Sequence, residues 1–162
     1  MDNDLDGQFE LIKNRLIDME KVPPFRFIWT ETEMADEYMS SRCVFEGWTD
    51  HQIEELSERL GETLPIQFRT YLRHFGTSRG LLFVGSDVPN SIEEFANLKM
   101  ECISLIRETQ PRAVWIKGCI PFLMHQGYTV EYVSEDSYVW YWIEGEEWPM
   151  GSKKAPNHYW HI

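Results

Sequence analysis

The sequence lacks any run of about 18 consecutive apolar residues, the length that a membrane-spanning helix needs. It also lacks a secretory signal, because its start, MDNDLDGQFE, is acidic where such a signal has basic residues and then an apolar run. These two absences predict a protein that does not contact membranes and that stays in the cytoplasm of the cell that makes it.

Cysteine is scarce, with three residues in 162: Cys43, Cys102 and Cys119. The number is odd, the spacings are wide and no C-x-x-C pair occurs, so neither a disulfide framework nor a zinc ribbon is predicted. Cys102 lies on the apolar stripe of a predicted helix, and Cys119 begins an apolar strand. Both are expected to be reduced core residues rather than nucleophiles.

Basic residues are few, since 15 lysines and arginines stand against 27 aspartates and glutamates and give a net charge of −12. A surface of this sign repels nucleic acid, because binding would add charge repulsion instead of releasing counterions. It attracts a basic protein and accelerates the encounter with it. The alternative is that the charge only keeps the protein in solution.

The common catalytic motifs are missing: the sequence has no G-x-S-x-G, no Walker loop, no G-x-G-x-x-G and no H-E-x-x-H. His158 and His161 are three residues apart, but Pro156 disfavours a helix there and no carboxylate or thiol lies at ligand spacing. We therefore predict no catalytic residue, no cofactor and no metal. An enzyme without a recognised motif is the alternative hypothesis.

The sequence does contain helical patterns with clear end signals. Apolar residues at helical spacing predict a helix over 5–20. Thr49 and Gln52 have the spacing of a capping box, and the helix that they open ends at Gly61. Pro65 suits the first turn of the next helix, which carries an aromatic stripe on one face.

Strand patterns fill most of the second half, after a helix that Ser91 opens and that runs to about Thr109. Strands are predicted at 113–116, 119–124, 128–134 and 138–144, and earlier in the chain at 25–30 and 80–87. Residues 31–42 form either a short helix or a loop.

Helices followed by closely spaced strands are typical of an α+β fold, in which helices cover one face of a twisted antiparallel or mixed sheet. Residues 46–162 are predicted to form this domain. Residues 1–45 are predicted to be an extension, a helix with a possible strand, that packs on it.

Two stretches of this sequence resemble the SUKH superfamily. IEELSERLGETLPIQFRTYLRHFG, at 53–76, is similar to its entry motif: a helix ending in Leu-Gly, then Leu-Pro, then an aromatic-rich helix ending near Gly. CIPFLMHQGYTVEYVSEDSYVWYWIEGEEW, at 119–148, is similar to its later strands. Two positions depart from the pattern, since Phe75-Gly76 stands where Asn-Gly is frequent and HQGY replaces a Gly-Gly-Asp-like turn.

The resemblance implies a SUKH-like fold that binds proteins and does no chemistry. Many bacterial members are immunity proteins that neutralise a cognate toxin, often a nuclease, while fungal relatives regulate cell-wall glucan synthesis as interaction hubs. The first hypothesis is therefore an immunity protein that forms a 1:1 complex with a basic nuclease toxin. The alternative is a regulatory interaction module of the glucan-synthesis kind.

Candidate partner-binding residues lie in and around the strand at 138–144, whose side chains alternate between two faces. The aliphatic set is expected to face the helices and the aromatic set to form an exposed groove. The alternative is that both faces are buried, the second by the N-terminal extension or by the C-terminal tail. The aromatic set is Tyr138, Trp140 and Trp142. An acidic rim, with Trp148 beside it, is predicted from Glu131, Glu135, Asp136, Glu144, Glu146 and Glu147. Such a rim can imitate the phosphates that a nuclease cleft binds; the alternative is a set of solvated loops.

Overall fold

The computed structural model describes residues 4–20, 43–80, 82–83, 86–149 and 151–154. Within these ranges the chain has the predicted α+β fold, with four helices and two antiparallel sheets. The possible strand at 25–30, the segment 31–42 and the two C-terminal histidines lie outside the described residues.

The helices are α1 Leu5–Glu20, α2 Asp50–Leu60, α3 Ile66–Phe75 and α4 Ile92–Thr109. The predicted capping box opens α2, because the Thr49 hydroxyl accepts a hydrogen bond from Gln52 N at 3.3 Å while Gln52 Oε1 accepts one from Thr49 N at 2.9 Å. Gly61 ends α2 with a φ of 66°, which glycine adopts at little cost. Pro65 immediately precedes α3 rather than lying in its first turn.

The main sheet is an antiparallel meander whose four strands lie side by side in sequence order. They are β3 Ile120–His125, β4 Thr129–Val133, β5 Val139–Ile143 and β6 Lys153–Lys154. A smaller sheet pairs β1 Phe45–Glu46 with β2 Ser78–Arg79. The three long strands confirm the predictions at 119–124, 128–134 and 138–144, with bounds shifted by one residue.

Two predicted strands, at 80–87 and 113–116, are wrong for the residues described there. In the first stretch a bond from Leu82 N to Arg79 O closes a turn, and Asp87 forms only an isolated bridge. In the second stretch none of the four residues belongs to a strand. Both stretches are short and apolar, and a short apolar run alone does not distinguish a strand from a buried loop.

The first face of the main sheet packs on α2 and α3. Ile120, Val133 and Val139 lie side by side across β3, β4 and β5, and all three are buried. They share one cluster with apolar residues of both helices, including Leu56 and Phe68. The aliphatic side of β5 therefore faces helices, as predicted.

The second face of the sheet is covered as well. Met124, Val130 and Trp142 lie side by side on it and are buried. They pack with the inward residues of the second half of α4 and with Trp115 and Trp148, which lie in loops. A buried second face was the alternative to an exposed groove, but in the described residues α4 and these loops form the covering layer, where the N-terminal extension or the tail was expected. The layer removes part of the aromatic set from the surface.

Helix α1 packs on α3 through one buried ring and one imidazole. The Phe9 ring centroid lies 5.8 Å from that of Phe75 and 5.5 Å from that of His74. His74 Nε2 lies 2.9 Å from Asp6 Oδ1, and Nδ1 lies 3.1 Å from Glu10 Oε1. Two carboxylates on α1 thus hold one side chain on α3. The predicted boundary at residue 45, between an N-terminal extension and the main domain, stays a prediction.

Candidate partner-binding groove

An open cavity of about 470 Å³ lies on the second face of the sheet, at the end where β4 runs into β5. We call it the acidic groove. Its lining includes Gly118, Cys119, Tyr132, Glu135, Asp136 and Trp140. Three of the predicted site residues, Glu135, Asp136 and Trp140, therefore lie together around one concave surface.

An aromatic cluster supports this part of the sheet. The rings of Trp115 and Trp148 are stacked with their centroids 5.0 Å apart, and Tyr132 meets Trp148 edge-on at 5.3 Å. Trp142 lies beneath and meets Trp148 at 6.2 Å with the ring planes 87° apart. Offset and edge-on pairs of this kind add to the stability that their buried area provides. The groove thus has a packed aromatic base.

Hydrogen bonds fix the orientation of the indoles. Trp115 Nε1 donates to Cys119 O at 2.8 Å, and Trp142 Nε1 donates to Glu146 O at 3.0 Å. Trp140 Nε1 donates to the Ser134 hydroxyl at 3.1 Å. Buried and half-buried tryptophans normally need such a partner. With its N–H already bonded, Trp140 offers the groove a ring face rather than a donor.

The carboxylates at the rim sit on a tight turn between β4 and β5. Ser134 N donates to Tyr138 O at 3.0 Å, Ser137 N donates to Ser134 O at 2.8 Å, and Ser137 has a φ of 66°. The Ser134 hydroxyl also bonds the Asp136 carboxylate. The same hydroxyl therefore orients both an acidic rim residue and the half-buried tryptophan below it.

A buried ion pair supports the floor of the groove from behind. Glu62 Oε1 lies 2.8 Å from Lys99 Nζ, and Glu62 Oε2 accepts a hydrogen bond from Gly118 N at 2.8 Å. Lys99 Nζ also donates to Leu60 O at 2.9 Å. Because charge-assisted bonds are stronger than neutral ones, this arrangement ties the end of α2, helix α4 and the groove floor together.

Gly118 is required by geometry at the point where Glu135 crosses the floor. Its φ is +82°, and a Cβ placed there would lie 2.5 Å from Glu135 Cγ. Only glycine allows both the backbone conformation and this close approach. The Glu135 side chain, including its carboxylate, consequently lies against the backbone of the floor at Gly118.

The groove contains a thiol, but the thiol is held in its protonated form. The pKa of Cys119 is raised to about 11, first by burial and then by the negative charges of Glu62, Glu135 and Asp136, while Lys99 has a smaller opposite effect. Burial also raises the pKa of Cys102 on α4. Neither residue has the depressed pKa of a nucleophilic cysteine.

Cys102 and Cys119 are expected to react slowly with a thiol reagent such as DTNB in the native protein, and at the ordinary rate after unfolding in denaturant. A pKa of about 11 leaves about one Cys119 in a thousand as thiolate at pH 8. The raised pKa also favours the folded state below about pH 9, and that contribution is lost as the pH rises through 11. Rapid labelling of either position, located by peptide mass spectrometry, would contradict the burial described above.

The other predicted site residues do not join the groove. Trp142 is fully buried and Trp148 is 6% exposed, so the prediction that Trp142 belongs to an exposed aromatic face is wrong, and neither side chain presents a surface to a partner in this fold. Both are buried where α4 and the 113–116 loop cover the second face of the sheet, Trp142 on β5 and Trp148 in a loop. Tyr138 is exposed, but Lys154 Nζ lies over its ring.

The predicted acidic rim is divided rather than continuous. Glu131 is half-buried on the first face of the sheet, opposite Tyr141. Glu144, Glu146 and Glu147 follow the far end of β5, roughly 14 Å from Glu135 and Asp136 along a strand of this length. None of these four lines the groove. Glu146 is also paired with Lys153 at 2.7 Å.

Residues that sequence reasoning missed are Glu62, Lys99 and Gly118. Glu62 stands in a polar turn, Lys99 on a helix face and Gly118 in a Lys-Gly pair, and none of these sequence contexts indicates a site. The three residues come together only in the folded chain. The one available signal was the Lys-Gly-Cys stretch itself, since a glycine just before a buried strand often marks a close backbone approach.

Compared with family models and with curated proteins, the chain matches none. The similarity to the SUKH superfamily therefore stays a prediction. No helix in the described part of the chain combines the length and apolarity needed to span a membrane. Among the same residues, His, Cys, Asp and Glu side chains form no group of three that could hold a metal.

Proposed function

We propose that this chain is a cytoplasmic immunity protein, which binds a basic toxin domain, such as a nuclease, in a 1:1 complex and blocks it. The observation that carries the proposal is the acidic groove, where a half-buried tryptophan and two exposed carboxylates meet, with the Ser134 hydroxyl bonded both to the tryptophan and to Asp136. Binding of this kind needs no catalytic residue.

Affinity would come from the groove and association rate from the charge. Tryptophan, tyrosine and arginine supply most of the binding energy in protein interfaces, usually at partly buried central positions. Trp140 is in such a position. The net charge of −12 would steer a basic partner toward the protein, in a manner that added salt weakens. The preformed turn would reduce the entropy lost on binding.

The experiment is a co-expression rescue. The proposal predicts a toxin gene immediately upstream of this gene, and its absence would count against the proposal. The toxin domain encoded there is expressed with and without the protein, survivors are counted, and the complex is measured by size-exclusion chromatography. Survival that depends on this chain, with a stable 1:1 complex, supports the proposal. Failure of the folded protein to rescue or to bind would overturn it, and the regulatory interaction module would then be the better hypothesis.

Glu135→Lys is expected to weaken the toxin complex at least about tenfold, or about 1.4 kcal/mol, because a lysine would face a basic partner at the groove. The matched control is Glu55→Lys, which makes the same charge change on the exposed face of α2, outside the groove. Both changes are measured by titration calorimetry after the thermal midpoint has been compared with that of the wild type.

Equal losses for the two variants would mean that only net charge acts. Wild-type binding by Glu135→Lys would exclude the groove as the toxin-binding site. A loss confined to Glu135→Lys is the result that the proposal requires.

A further inference from the structure

We propose that the acidic groove accepts an arginine side chain of the partner, with the guanidinium lying over Trp140 and bonding to Glu135 and Asp136. This inference deepens the proposed function and rests on it for the identity of the partner. The class of ligand, a planar cation on a flexible stem, follows from the groove itself.

The first argument is the availability of the two carboxylates. Some acidic side chains in the described residues are neutralised by a cation, as Asp50 is by Arg73 at 2.8 Å. Glu135 and Asp136 have no ion pair within the described part of the chain; the Ser134 hydroxyl bonds Asp136, and the Glu135 side chain lies against Gly118. Two adjacent, unneutralised carboxylates that border one cavity form a receptor for a cation.

The second argument is the charge balance of the lining. The only charged side chains on it, within the ranges that the structure covers, are Glu135, Asp136 and Lys117, which leaves a net charge of −1. Lys117 is exposed and forms no described ion pair with either carboxylate. The negative potential reaches the floor, because both carboxylates contribute to the raised pKa of Cys119. A bound cation would neutralise part of this negative charge and relieve the repulsion between the two carboxylates.

The third argument is the aromatic surface. Trp140 is half-buried, its N–H is used by Ser134, and its ring borders the cavity together with Tyr132. A cation over an indole face gains about 0.5–1 kcal/mol at an exposed site. A guanidinium also stacks on the ring and bonds two carboxylates as a planar fork, which an ammonium cannot do. The combination of ring and paired acids therefore favours arginine over lysine.

The test is an NMR titration of the full-length protein with N-acetyl-L-arginine methylamide. Two probes serve as controls: the lysine analogue, which keeps the charge, and the citrulline analogue, which keeps the shape of the side chain without the charge. We expect saturable shifts of the Trp140 indole N–H and the Gly118 amide, with affinity falling in the order arginine, lysine, citrulline. Absence of saturable shifts, or equal shifts with citrulline, would overturn the inference.

Variants then locate the site. Glu135→Gln keeps the stem on Gly118 and is expected to weaken the arginine probe about two- to fivefold. Trp140→Leu is expected to weaken it by a similar factor, about two- to fivefold, through the lost ring face. Glu55→Gln, on the exposed face of α2, is the control and should leave the affinity unchanged.

The probe titration tests the arginine site and the toxin rescue tests the immunity proposal, so either test can fail while the other succeeds. If rescue fails while the arginine probe binds at the groove, the immunity proposal is wrong and the groove remains an arginine site. If rescue succeeds and Glu135→Gln weakens both probe and toxin, the inference is supported. Toxin binding that Glu135→Gln and Trp140→Leu leave unchanged would show that the toxin does not use the groove, and would overturn the partner assignment.

Discussion

Glu62→Ala is expected to lower the free energy of unfolding by about 3–5 kcal/mol, because it removes one partner of a buried ion pair and leaves the other charge uncompensated. The Lys99 side chain is only 17% exposed, so water cannot fully replace the carboxylate that lies 2.8 Å from its Nζ. Gly118 N loses its acceptor at the same time. An orphaned buried donor adds its own desolvation cost.

The measurement is urea unfolding followed by tryptophan fluorescence, with Glu58→Ala as the control on the exposed face of α2. A double-mutant cycle with Lys99→Met isolates the pair: the double variant should be more stable than the sum of the two single changes predicts. Additive effects would show that Glu62 and Lys99 do not interact. A loss for Glu62→Ala no larger than that for Glu58→Ala would contradict the burial of the pair.

Glu62→Ala is also expected to affect ligand binding in the acidic groove. Glu62 does not line the groove, yet it bonds the amide of Gly118 on which Glu135 rests. Under conditions where Glu62→Ala remains folded, weaker binding of the arginine probe is expected, because the floor would no longer hold Glu135 in one position.

Local signals determined how well the helices were predicted. Thr49 and Gln52 bond each other at the start of α2, and Gly61 bonds the last turn at its end, so each signal acts over three or four residues and can be read from the sequence alone. A strand, in contrast, needs a partner from elsewhere in the chain. The apolar stretches at 80–87 and 113–116 were predicted as strands because sequence gives composition but not the position of a pairing edge.

Only part of the candidate site was predicted correctly, because burial, like strand pairing, depends on residues that are distant in sequence. Alternation along β5 correctly separates Trp140 and Trp142 from Val139, but it does not say what covers each face. The second layer comes from α4 and from loops around Trp115 and Trp148, which are distant in sequence. It buries one end of the aromatic row and leaves the other end open beside Glu135, so exposure could not be derived from strand periodicity.

The buried end of that row should therefore matter for folding and not for contact with a partner. Trp142→Ala is expected to destabilise the protein by about 3–5 kcal/mol, because it opens a large cavity among well-packed aromatic rings. Trp142 is fully buried, meets Trp148 edge-on and lies across β4 from Met124. A loss of this size is a large part of the total stability of a small domain.

Trp142→Phe should cost much less, about 1–2 kcal/mol, because a phenyl ring fills most of the space that the indole leaves and the carbonyl that loses the indole N–H is still bonded. That carbonyl, Glu146 O, also accepts from Gln110 Nε2 at 2.8 Å. Thermal and urea unfolding of the two variants give the comparison, and Trp140→Leu serves as the half-buried control from the same face of β5. If the second layer covers Trp142 as described, Trp142→Ala loses stability and Trp140→Leu loses affinity for the arginine probe. Trp142→Phe keeps most of the stability and most of the probe affinity. Near-native stability of Trp142→Ala would mean that this ring is not packed as described, and the exposed aromatic face first inferred from the strand would have to be reconsidered.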